Sequence, residues 1–321
     1  MDRLLNGEAP DIMTHFISCD WGTSRLRLRL VDLKQRRIVA EYATDEGIQT
    51  LAGIHPAKEG RREFLGAVLE RNIATLGAGK QTDIPLVVSG MASSTLGWQS
   101  VPYACLPAPI DGRTLRFFDF HQAGRKVRLV SGLQATSDVM RGEETELIGI
   151  FAGPTRRPLA ENCTVILPGS HSKHVQLRAG QIMGFTTYLT GELYALLCQK
   201  SSLETPDDAI FDAKAFVAGT QASETHGLSA ALFQTRARSV LGHMAAKHSR
   251  AFLSGVLIGA EIATLAKTDP GCIVLAAGEQ LASQYALALS ELLPNIVVVQ
   301  ISPTELAAAT VWGHAKVLSY P

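Results

Sequence analysis

The most regular hydrophobic pattern of the chain lies close to its start, between Phe16 and Asp32. Residues 16–19 form a short apolar run, and from residue 25 onward arginine and leucine alternate. Alternation with a period of two is typical of a strand with one buried face. The pattern therefore predicts two strands joined by a tight turn over residues 20–24.

Further apolar runs and helical periodicities follow along the rest of the chain. Strands are predicted over residues 37–43, 84–89, 127–130, 164–167, 174–177, 273–275 and 297–301. Helices are predicted over residues 61–76, 189–198, 213–219, 251–266 and 305–317, with two more that open at residues 137–144 and at residue 280. A unit of strand, Gly/Ser turn and strand thus occurs twice, at the start of each half of the chain.

The length of the chain indicates two domains. A chain of 321 residues exceeds what one hydrophobic core ordinarily holds. The helical pattern after residue 143 is broken by the segment Gly153–Pro158, which is the candidate boundary. We expect a first domain over residues 1–155, joined by the last helix at 303–321, and a second domain over residues 156–302.

Composition and charge exclude several classes of protein. Thirty basic residues balance thirty acidic ones, so no net field favours nucleic acid or a membrane surface. No apolar run approaches the length that spans a bilayer, and residues 1–15 lack the apolar core of a signal peptide, so we expect them to be a frayed extension. The five cysteines lack C-x-x-C spacing, which indicates reduced thiols in a cytoplasmic protein rather than disulfides or a zinc site. A homodimer is compatible with the sequence, which does not fix the oligomeric state.

The first turn, Asp20-Trp21-Gly22-Thr23-Ser24, carries residue types that bind phosphate. Its glycine permits a close backbone approach, and successive turn N–H groups can form a nest for an anion. The two hydroxyls add donors, and the Asp20 carboxylate can hold a hydrated Mg²⁺ beside them. We interpret the segment as a triphosphate-binding hairpin; an ordinary hairpin with a polar turn is the alternative.

The second turn, Pro168-Gly169-Ser170-His171-Ser172-Lys173, has a similar composition. His171 and Lys173 are candidates for phosphate contact, and exposed hairpin side chains are the alternative. Two such units that face each other across a cleft would place two phosphate nests on one nucleotide. The repetition of the motif favours this interpretation.

Two other glycine features indicate close approach of the backbone. The strand at 273–275 runs into a turn at Ala277 and Gly278, and ligands of open α/β sheets bind beyond the carboxyl ends of strands, so this turn is a candidate adenine edge. Gly255 and Gly259, four residues apart in a predicted helix, allow close packing of another helix or contact with a flat ligand.

The loop that follows residue 89 is rich in Gly, Ser and Pro and carries Trp98 and Tyr103. A long loop with aromatic residues in a compact protein is either a binding loop or a structural crossover. We favour the binding loop. A Rossmann dehydrogenase is set aside, since no G-x-G-x-x-G follows the first strand.

These segments carry a resemblance to known families. DWGTS resembles the first phosphate motif of the sugar kinase/Hsp70/actin superfamily, LPGSHSK its second phosphate motif, and LAAGEQLASQY its adenosine motif. A narrower set, which spans nearly the whole chain, is similar to 2-dehydro-3-deoxygalactonokinases: SGMASSTLGW, VPY, DVMRGEET, LPGSHSKHVQL, LTGEL and FLSGVLIGAE. The chain departs from the superfamily pattern at Ser170, His174 and Ala277, where Thr, Trp and Gly are usual.

The resemblance implies an α/β fold with two ribonuclease-H-like, actin-like ATPase domains and a nucleotide cleft between them. It implies phosphorylation of a small-molecule sugar acid, 2-dehydro-3-deoxy-D-galactonate, at O6, with ATP and Mg²⁺ as cofactors. The phosphates would be bound at the two turns by Gly22, Thr23, Ser24, Gly169, Ser170, His171, Ser172 and Lys173. The adenosine would lie against Ala277 and Gly278.

The resemblance also implies a catalytic base. Phosphoryl transfer needs a carboxylate near the accepting hydroxyl to take its proton. In related sugar kinases this base is an Asp that opens a helix just before the second phosphate hairpin, and Asp138 occupies that place. A simple N-cap is the alternative for Asp138.

The neighbours of Asp138 are the expected contacts of the sugar acid. Arg141, Glu143 and Glu144 would bind hydroxyls or, for Arg141, the substrate carboxylate, and helix capping is the alternative for the two glutamates. The other wall of the acid pocket would comprise Arg25, Met91, Ser93 and Trp98.

Two alternatives to this function stay open. The first is a kinase of the same fold that acts on another sugar acid. The two sugar acids would differ at one stereocentre, and no single residue of this sequence indicates which of them is bound. A nucleotide-binding regulatory ATPase would carry an additional partner-binding domain or DNA-binding helices, and no such region is evident.

Overall fold

The computed structural model describes residues 13–55, 57, 59–203, 206, 209–268 and 270–321. Contacts within the chain define two compact units. The first unit comprises the described residues up to Gln134, with Val139–Gly153 and Ala308–Pro321, and the second comprises Ala135–Asp138 and the described residues of Pro154–Ala307. The frayed extension predicted for residues 1–15 lies outside the described residues as far as residue 12.

The first unit, in its described residues, is built on a six-stranded sheet and a three-stranded sheet. Its strands are β1 (His15–Trp21), β2 (Leu26–Asp32), β3 (Arg37–Thr44), β4 (Leu86–Gly90), β5 (Ala104–Cys105), β6 (Ala108–Pro109), β7 (Phe117–Gln122), β8 (Arg125–Val130), β9 (Leu133–Gln134) and β10 (Val139–Met140). Its helices are α1 (Ile48–Ile54), α2 (Arg61–Thr75) and α3 (Glu143–Phe151). The large sheet has the order β3-β2-β1-β4-β8-β7, in which β1, β2 and β3 form an antiparallel meander and β4 and β8 run parallel to β1. The small sheet has the order β10-β9-β5.

The predicted alternation along β2 holds as far as Leu28. Leu26 and Leu28 are fully buried in one apolar core. Arg29, which the pattern places on the outer face, is only 7 % exposed. Its guanidinium donates to both carboxylate oxygens of Glu41, at 3.1 and 3.2 Å. The paired charge therefore explains how an arginine is accommodated at this position.

The second unit repeats this arrangement. Its strands are β11 (Asn162–Leu167), β12 (Ser172–Arg178), β13 (Gln181–Tyr188), β14 (Cys272–Leu275) and β15 (Val298–Gln300). Its helices are α4 (Thr190–Lys200), α5 (Ala213–His226), α6 (Leu228–Val240), α7 (Ser249–Ile262) and α8 (Glu279–Leu292). Strands β11, β12 and β13 form an antiparallel meander, and β14 and β15 run parallel to β11. A meander followed by two parallel strands, present in each unit, is the ribonuclease-H-like arrangement, so the α/β fold class is confirmed.

The last helix, α9 (Pro303–Leu318), contributes its residues from Ala308 onward to the first unit. A Cβ on Gly149 of α3 would lie 1.7 Å from the carbonyl oxygen of Ala309, so the two helix backbones are in direct contact. The buried imidazole of His314 bonds to Ser18 Oγ of β1 at 2.8 Å, and burial lowers its pKa to about 3. The part of α9 from Ala308 onward therefore belongs to the core of the first unit.

The segment between residues 137 and 151 differs from the prediction. The sequence predicts a helix that opens at residues 137–144, but Val139–Met140 form a strand paired with β9, and α3 begins only at Glu143. Gly142 has a φ of +113°, outside the helical region, and this conformation favours glycine. The glycine therefore delays the start of the helix.

Helices α5 and α7 meet at glycines. A Cβ on Gly255 would lie 2.0 Å from the carbonyl oxygen of Phe216, and one on Gly259 would lie 2.8 Å from Cα of Thr220. Close helix packing, one of the two interpretations of this glycine spacing, is therefore confirmed.

In the described part of the chain, one helical stretch, Ala246–Lys267, has the length and apolar composition needed to cross a membrane, so the expectation that no apolar run approaches this length is corrected. It contains α7, and 72 % of its apolar window is buried within the structure. Burial of this extent is typical of the core helix of a folded domain.

Replacing Gly255 with alanine is expected to lower the free energy of unfolding of the second unit by about 1–3 kcal/mol, because the added methyl group collides with the Phe216 carbonyl oxygen. Thermal unfolding followed by circular dichroism measures the change. Gly53→Ala in α1 is the control, since its Cβ position is open, and it is expected to raise stability by about 0.5–1 kcal/mol. Similar effects of the two substitutions would contradict the close packing.

Candidate active site

The turn after β1 is held from one side by the N-terminus of α1. The N–H group of Ile48 donates to the carbonyl oxygen of Gly22 at 3.0 Å. The N–H group of Gln49 donates to that of Thr23, also at 3.0 Å. Gly47 lies against the turn, and a Cβ there would be 2.3 Å from the Thr23 carbonyl oxygen. The carbonyl oxygens on the side of the turn that faces α1, its inner side, thus accept hydrogen bonds from the protein.

The other side of this turn is open. Thr23 and Ser24 are exposed, and in the part of the chain that the structure describes their N–H groups have no hydrogen-bond acceptor. The N–H group of Gly22 closes the turn by donating to the carbonyl oxygen of Arg25 at 2.8 Å. The exposed Arg25 side chain donates to Asp45 at 3.2 Å. The outward N–H and hydroxyl groups are donors of the kind that bind an anion.

Asp20 lies at the end of β1, beside Ser89 of β4. Its Oδ2 accepts a hydrogen bond from Arg27 at 3.3 Å. Removal from water raises the pKa of this carboxyl group, and the charges of Arg27 and Arg29 offset part of the shift. No group of three His, Cys, Asp or Glu side chains arranged to hold a metal occurs among the described residues. A single carboxylate still fits Mg²⁺, which is commonly held by one or two carboxylates, phosphate oxygens and water.

Helix α3 brings two further carboxyl groups into the electrostatic environment of Asp20. Burial raises the pKa of Glu146 to about 8, with further contributions from the Glu143 and Asp20 carboxylates. Glu143 Oε2 accepts the N–H group of Arg141 at 3.0 Å. Sequence reasoning missed Glu146, although its spacing of three residues from Glu143 on a helix indicates that the two share a face.

Arg141 organises the loop that follows β4. Its Nη1 donates to the carbonyl oxygen and to Oγ of Ser93, at 2.7 and 2.6 Å. Its guanidinium lies over the ring of Tyr103, 4.2 Å from the centroid. Ser93 is fully buried, and its hydroxyl donates to the carbonyl oxygen of Gly90 at 3.2 Å, so its expected contact with the substrate is corrected. Met91 in the same short 3₁₀ turn is half-buried. A contact of Arg141 with a substrate carboxylate stays a prediction.

Trp98 does not lie in the wall of an open pocket, and this expectation is corrected. Its side chain is 3 % exposed and packs edge-on against Trp21 and Phe120, with centroid distances of 6.2 and 5.0 Å. The indole belongs to the apolar core of the first unit and supports the loop from inside.

Glu144 is also turned into the protein, so its expected contact with a sugar hydroxyl is corrected. The side chain is fully buried, and its two oxygens accept the N–H group of Gly142 at 2.9 and 2.7 Å. Burial raises the pKa of Glu144 to about 8, and the neighbouring Glu143 carboxylate adds to the shift. Glu144 therefore stabilises the start of α3.

Asp138 belongs by its contacts to the second unit. Its Oδ2 accepts the N–H group of Thr187 at 2.6 Å, and its Oδ1 accepts the Thr187 hydroxyl at 2.9 Å. The side chain is half-buried. The residue at the N-cap of α3 is Gly142, so the interpretation of Asp138 as a helix opener or N-cap is wrong. Its role as the base stays a prediction.

The second hairpin turn is held in the same way as the first. The N–H group of Glu192, in the first turn of α4, donates to the carbonyl oxygen of Ser170 at 3.0 Å. A Cβ on Gly191 would lie 2.4 Å from the carbonyl oxygen of Gly169. Ser170 and His171 are exposed, and His171 Nε2 lies 2.6 Å from a carboxylate oxygen of Glu192. The outer side of the turn is therefore open.

The last two residues of the second motif point inward. Ser172 and Lys173 are buried, and Lys173 Nζ donates to the carbonyl oxygen of His171 at 2.9 Å. The expectation that these two side chains bind phosphate is corrected. The accessible part of the motif comprises Gly169, Ser170 and His171.

A pocket of about 240 Å³ opens beside the second turn. Its walls include Gly169, Thr190, Tyr194, Ser254, Gln284 and Tyr285. Ser254 Oγ donates to Gln284 Oε1 at 2.8 Å, which orients the amide group. The turn and helices α4, α7 and α8 therefore enclose one cavity.

The two residues predicted to bind adenosine directly precede α8, which contributes to this pocket, but they do not line the pocket themselves. Ala277 is buried in the apolar core of the second unit. Gly278 is the N-cap of α8, and open space surrounds its Cβ position. The wall is formed by residues further along α8, including Gln284, which sequence reasoning missed.

Comparisons with known proteins agree on one family. A family model described as 2-keto-3-deoxy-galactonokinase matches residues 20–312. A 2-dehydro-3-deoxygalactonokinase of Escherichia coli (strain K12) is 33% identical over 282 residues, which cover 84% of this chain and 87% of that protein. A protein of Rhizobium meliloti (strain 1021) named for the same activity is 33% identical over 264 residues, covering 78% and 79%. A crystal structure from Sinorhizobium meliloti, also named for this activity, has a TM-score of 0.79 at 29% identity and covers 95% of this chain and 99% of that one.

The buried Glu144 predicts a pH dependence of stability. Its pKa is about 8 in the folded protein and near the ordinary 4.5 in the unfolded chain, so the folded protein binds the extra proton between these values. The contribution of Glu144 to the free energy of unfolding is complete below the pKa of the unfolded chain and is lost as the pH rises through about 8. We expect Glu144→Gln, which keeps a carbonyl acceptor and cannot ionise, to weaken the fall of the unfolding midpoint across this range.

Unfolding midpoints measured at a series of pH values test this expectation. Glu63→Gln is the control, because Glu63 is an exposed residue of α2, and it should leave the profile unchanged. A profile for Glu144→Gln as steep as that of the unsubstituted protein would contradict the assignment.

Proposed function

The chain belongs to the 2-keto-3-deoxy-galactonokinase family, and we propose that it transfers the γ-phosphoryl group of ATP to O6 of 2-dehydro-3-deoxy-D-galactonate. The match of the family model over residues 20–312 is the observation that carries this proposal. Two relatives at 33% identity named for this activity support the choice of substrate. The products would be ADP and 2-dehydro-3-deoxy-6-phospho-D-galactonate, a step in the breakdown of D-galactonate.

The pocket of the second unit is the proposed site for the adenosine half of ATP. Tyr194 and Leu257 supply apolar surface for the base. Gln284, oriented by Ser254, supplies a polar group that can bind its edge. Because Gly169 of the second turn also lines the pocket, the phosphates of a bound nucleotide would meet the N–H groups of that turn.

The first turn supplies the other phosphate donors in this proposal. The outward N–H and hydroxyl groups of Thr23 and Ser24 would bind phosphate oxygens, and Asp20 would hold Mg²⁺ through its carboxylate. When bound, Mg²⁺ would neutralise charge on the transferred phosphoryl group. The raised pKa of Asp20 is consistent with a carboxylate that gains from a nearby cation.

Asp138 is the proposed base for the accepting hydroxyl. Phosphoryl transfer depends mainly on positioning and electrostatic stabilisation. The two hydrogen bonds from Thr187 fix the orientation of the Asp138 carboxylate. Closure around both substrates would exclude water, which is a competing acceptor of the phosphoryl group.

The loop held by Arg141 is the proposed wall of the sugar-acid pocket. The half-buried guanidinium of Arg141 is the proposed donor to the substrate carboxylate. Met91 and Arg25 are accessible enough to contact the substrate, and Glu143 would accept from its hydroxyls. Ser93 acts through Arg141 in this arrangement.

A cytoplasmic location is also proposed. All five cysteines are free thiols: Cys19, Cys105, Cys163, Cys198 and Cys272. Reduced thiols are the ordinary state of cysteine in that compartment.

A coupled assay of ADP release tests the proposed activity. Purified 2-dehydro-3-deoxygalactonate is expected to stimulate ADP release strongly, and a panel of epimeric sugar acids compares it with other substrates. A stronger response to another epimer would identify that epimer as the substrate, and the proposed phosphoryl transfer from ATP would still hold. ATP hydrolysis that no sugar acid affects would contradict the kinase and favour a regulatory ATPase.

Asp138→Asn is expected to reduce kcat by about 10²–10⁴-fold, the range for loss of a general base, because an amide cannot take the proton. Binding of ATP and of the sugar acid, measured by calorimetry, should change little. Asp111→Asn is the control, since Asp111 pairs with Arg113 in a loop of the first unit, and its kcat should remain normal. Near-normal turnover of Asp138→Asn would show that the base is another residue.

A further inference from the structure

Helix α7 carries a glutamate that the proposed reaction does not use. Glu261 is 2 % exposed and lies at the centre of a buried polar network in the second unit. Its Oε1 accepts from Ser172 Oγ at 2.6 Å and lies 2.8 Å from His174 Nε2. Its Oε2 accepts from the hydroxyl of Tyr285 at 2.8 Å and from that of Thr190. Each carboxylate oxygen is therefore shared by two donors.

The donors to Glu261 belong to the elements that form the nucleotide pocket. Ser172 begins β12, directly after the accessible part of the second turn. Thr190 begins α4 and precedes Gly191, whose backbone touches the turn. Tyr285 of α8 lines the pocket, as does Thr190. One carboxylate thus joins the turn, the helix behind it and the far wall of the cavity.

We propose that Glu261 is a positioning residue for the nucleotide: it touches no phosphate or base, but it holds the second turn and the pocket wall in register. The inference rests on the proposed function, because it assigns ATP to this pocket. It adds a buried residue of α7 to a pocket whose lining already includes Ser254 and Leu257 of that helix.

The chemistry of the network favours a positioning role over general packing. Hydrogen bonds to a carboxylate are shorter and stronger than those between neutral groups, and a buried carboxylate requires its full set of donors. Burial and the Glu261 carboxylate raise the pKa of the Tyr285 hydroxyl, which keeps it protonated as a donor. Loss of any one partner would therefore move the others, and two of them line the pocket.

Glu261→Gln tests the proposal with a side chain of the same shape. The amide keeps one oxygen and replaces the other with an NH₂ group, which cannot accept from the two donors on that side. We expect the Kd for ATP, measured by isothermal titration calorimetry, to rise by about tenfold or more, as for the loss of charge-assisted hydrogen bonds. The Kd for the sugar acid should change by less than about twofold, since its proposed contacts belong to other residues.

The matched control is Thr220→Val. Thr220 is a fully buried residue of α5, and its hydroxyl donates to the carbonyl oxygens of Phe216 and Gly255 outside the pocket. Its loss should lower the melting temperature without changing the Kd for ATP. Ser172→Ala, a change inside the network at a residue that is not in the pocket lining, should raise that Kd, and it carries the test if Glu261→Gln does not fold.

The outcomes separate this proposal from the proposed function. A weaker ATP affinity in Glu261→Gln and Ser172→Ala, with an unchanged affinity in Thr220→Val, supports the positioning role. Unchanged ATP affinity in the network variants, together with a lower melting temperature, would reduce Glu261 to a structural residue and overturn the inference. Failure of the unsubstituted protein to bind ATP would overturn the proposed function, and the inference with it.

Discussion

The contact between each hairpin turn and the N-terminus of the helix behind it is the constraint on which the open outer face of each turn depends. Helix N–H groups satisfy the inner carbonyl oxygens of each turn, so the backbone is fixed while its outer donors remain available. The approach is possible because Gly47 and Gly191 have no side chain: a Cβ there would lie 2.3 and 2.4 Å from a turn carbonyl oxygen. This contact is present in both units because they share a strand order. In each unit the helix that follows the three-stranded meander packs against the turn of the first hairpin.

The carboxyl groups of the molecule divide by their burial. Glu144 and Glu261 are almost fully buried and accept hydrogen bonds from the protein, so they fix the geometry of their surroundings. Asp20 and Asp138 are half-buried, so part of each residue is accessible to solvent. Glu143 is half-buried whereas the adjacent Glu144 is fully buried, because successive residues of a helix point about 100° apart. Adjacent positions in the sequence therefore do not predict equal burial of two carboxyl groups.

The fold was largely predictable from the sequence, whereas the inner part of the site was not. The period-two pattern around Leu26 and Leu28 and the repeated hairpin indicate the two sheets directly. The backbone contacts of Gly47 and Gly191 leave no pattern, because each depends on a turn more than twenty residues away along the chain. Trp98 was misplaced for a similar reason: in a Gly/Ser-rich loop it reads as exposed, yet Trp21 and Phe120, both distant in sequence, enclose it. Local patterns report periodicity and turn chemistry, and they do not report which distant side chains share a core.

The position of α9 sets the order in which the molecule can be completed during translation. Its residues from Ala308 onward pack against Gly149 and Ser18 in the first unit, but they leave the ribosome only after the whole of the second unit. The half that is synthesised first must therefore wait for the last helix before its core can close. The second unit, contiguous apart from Ala135–Asp138, is the half that can fold while the chain is still emerging.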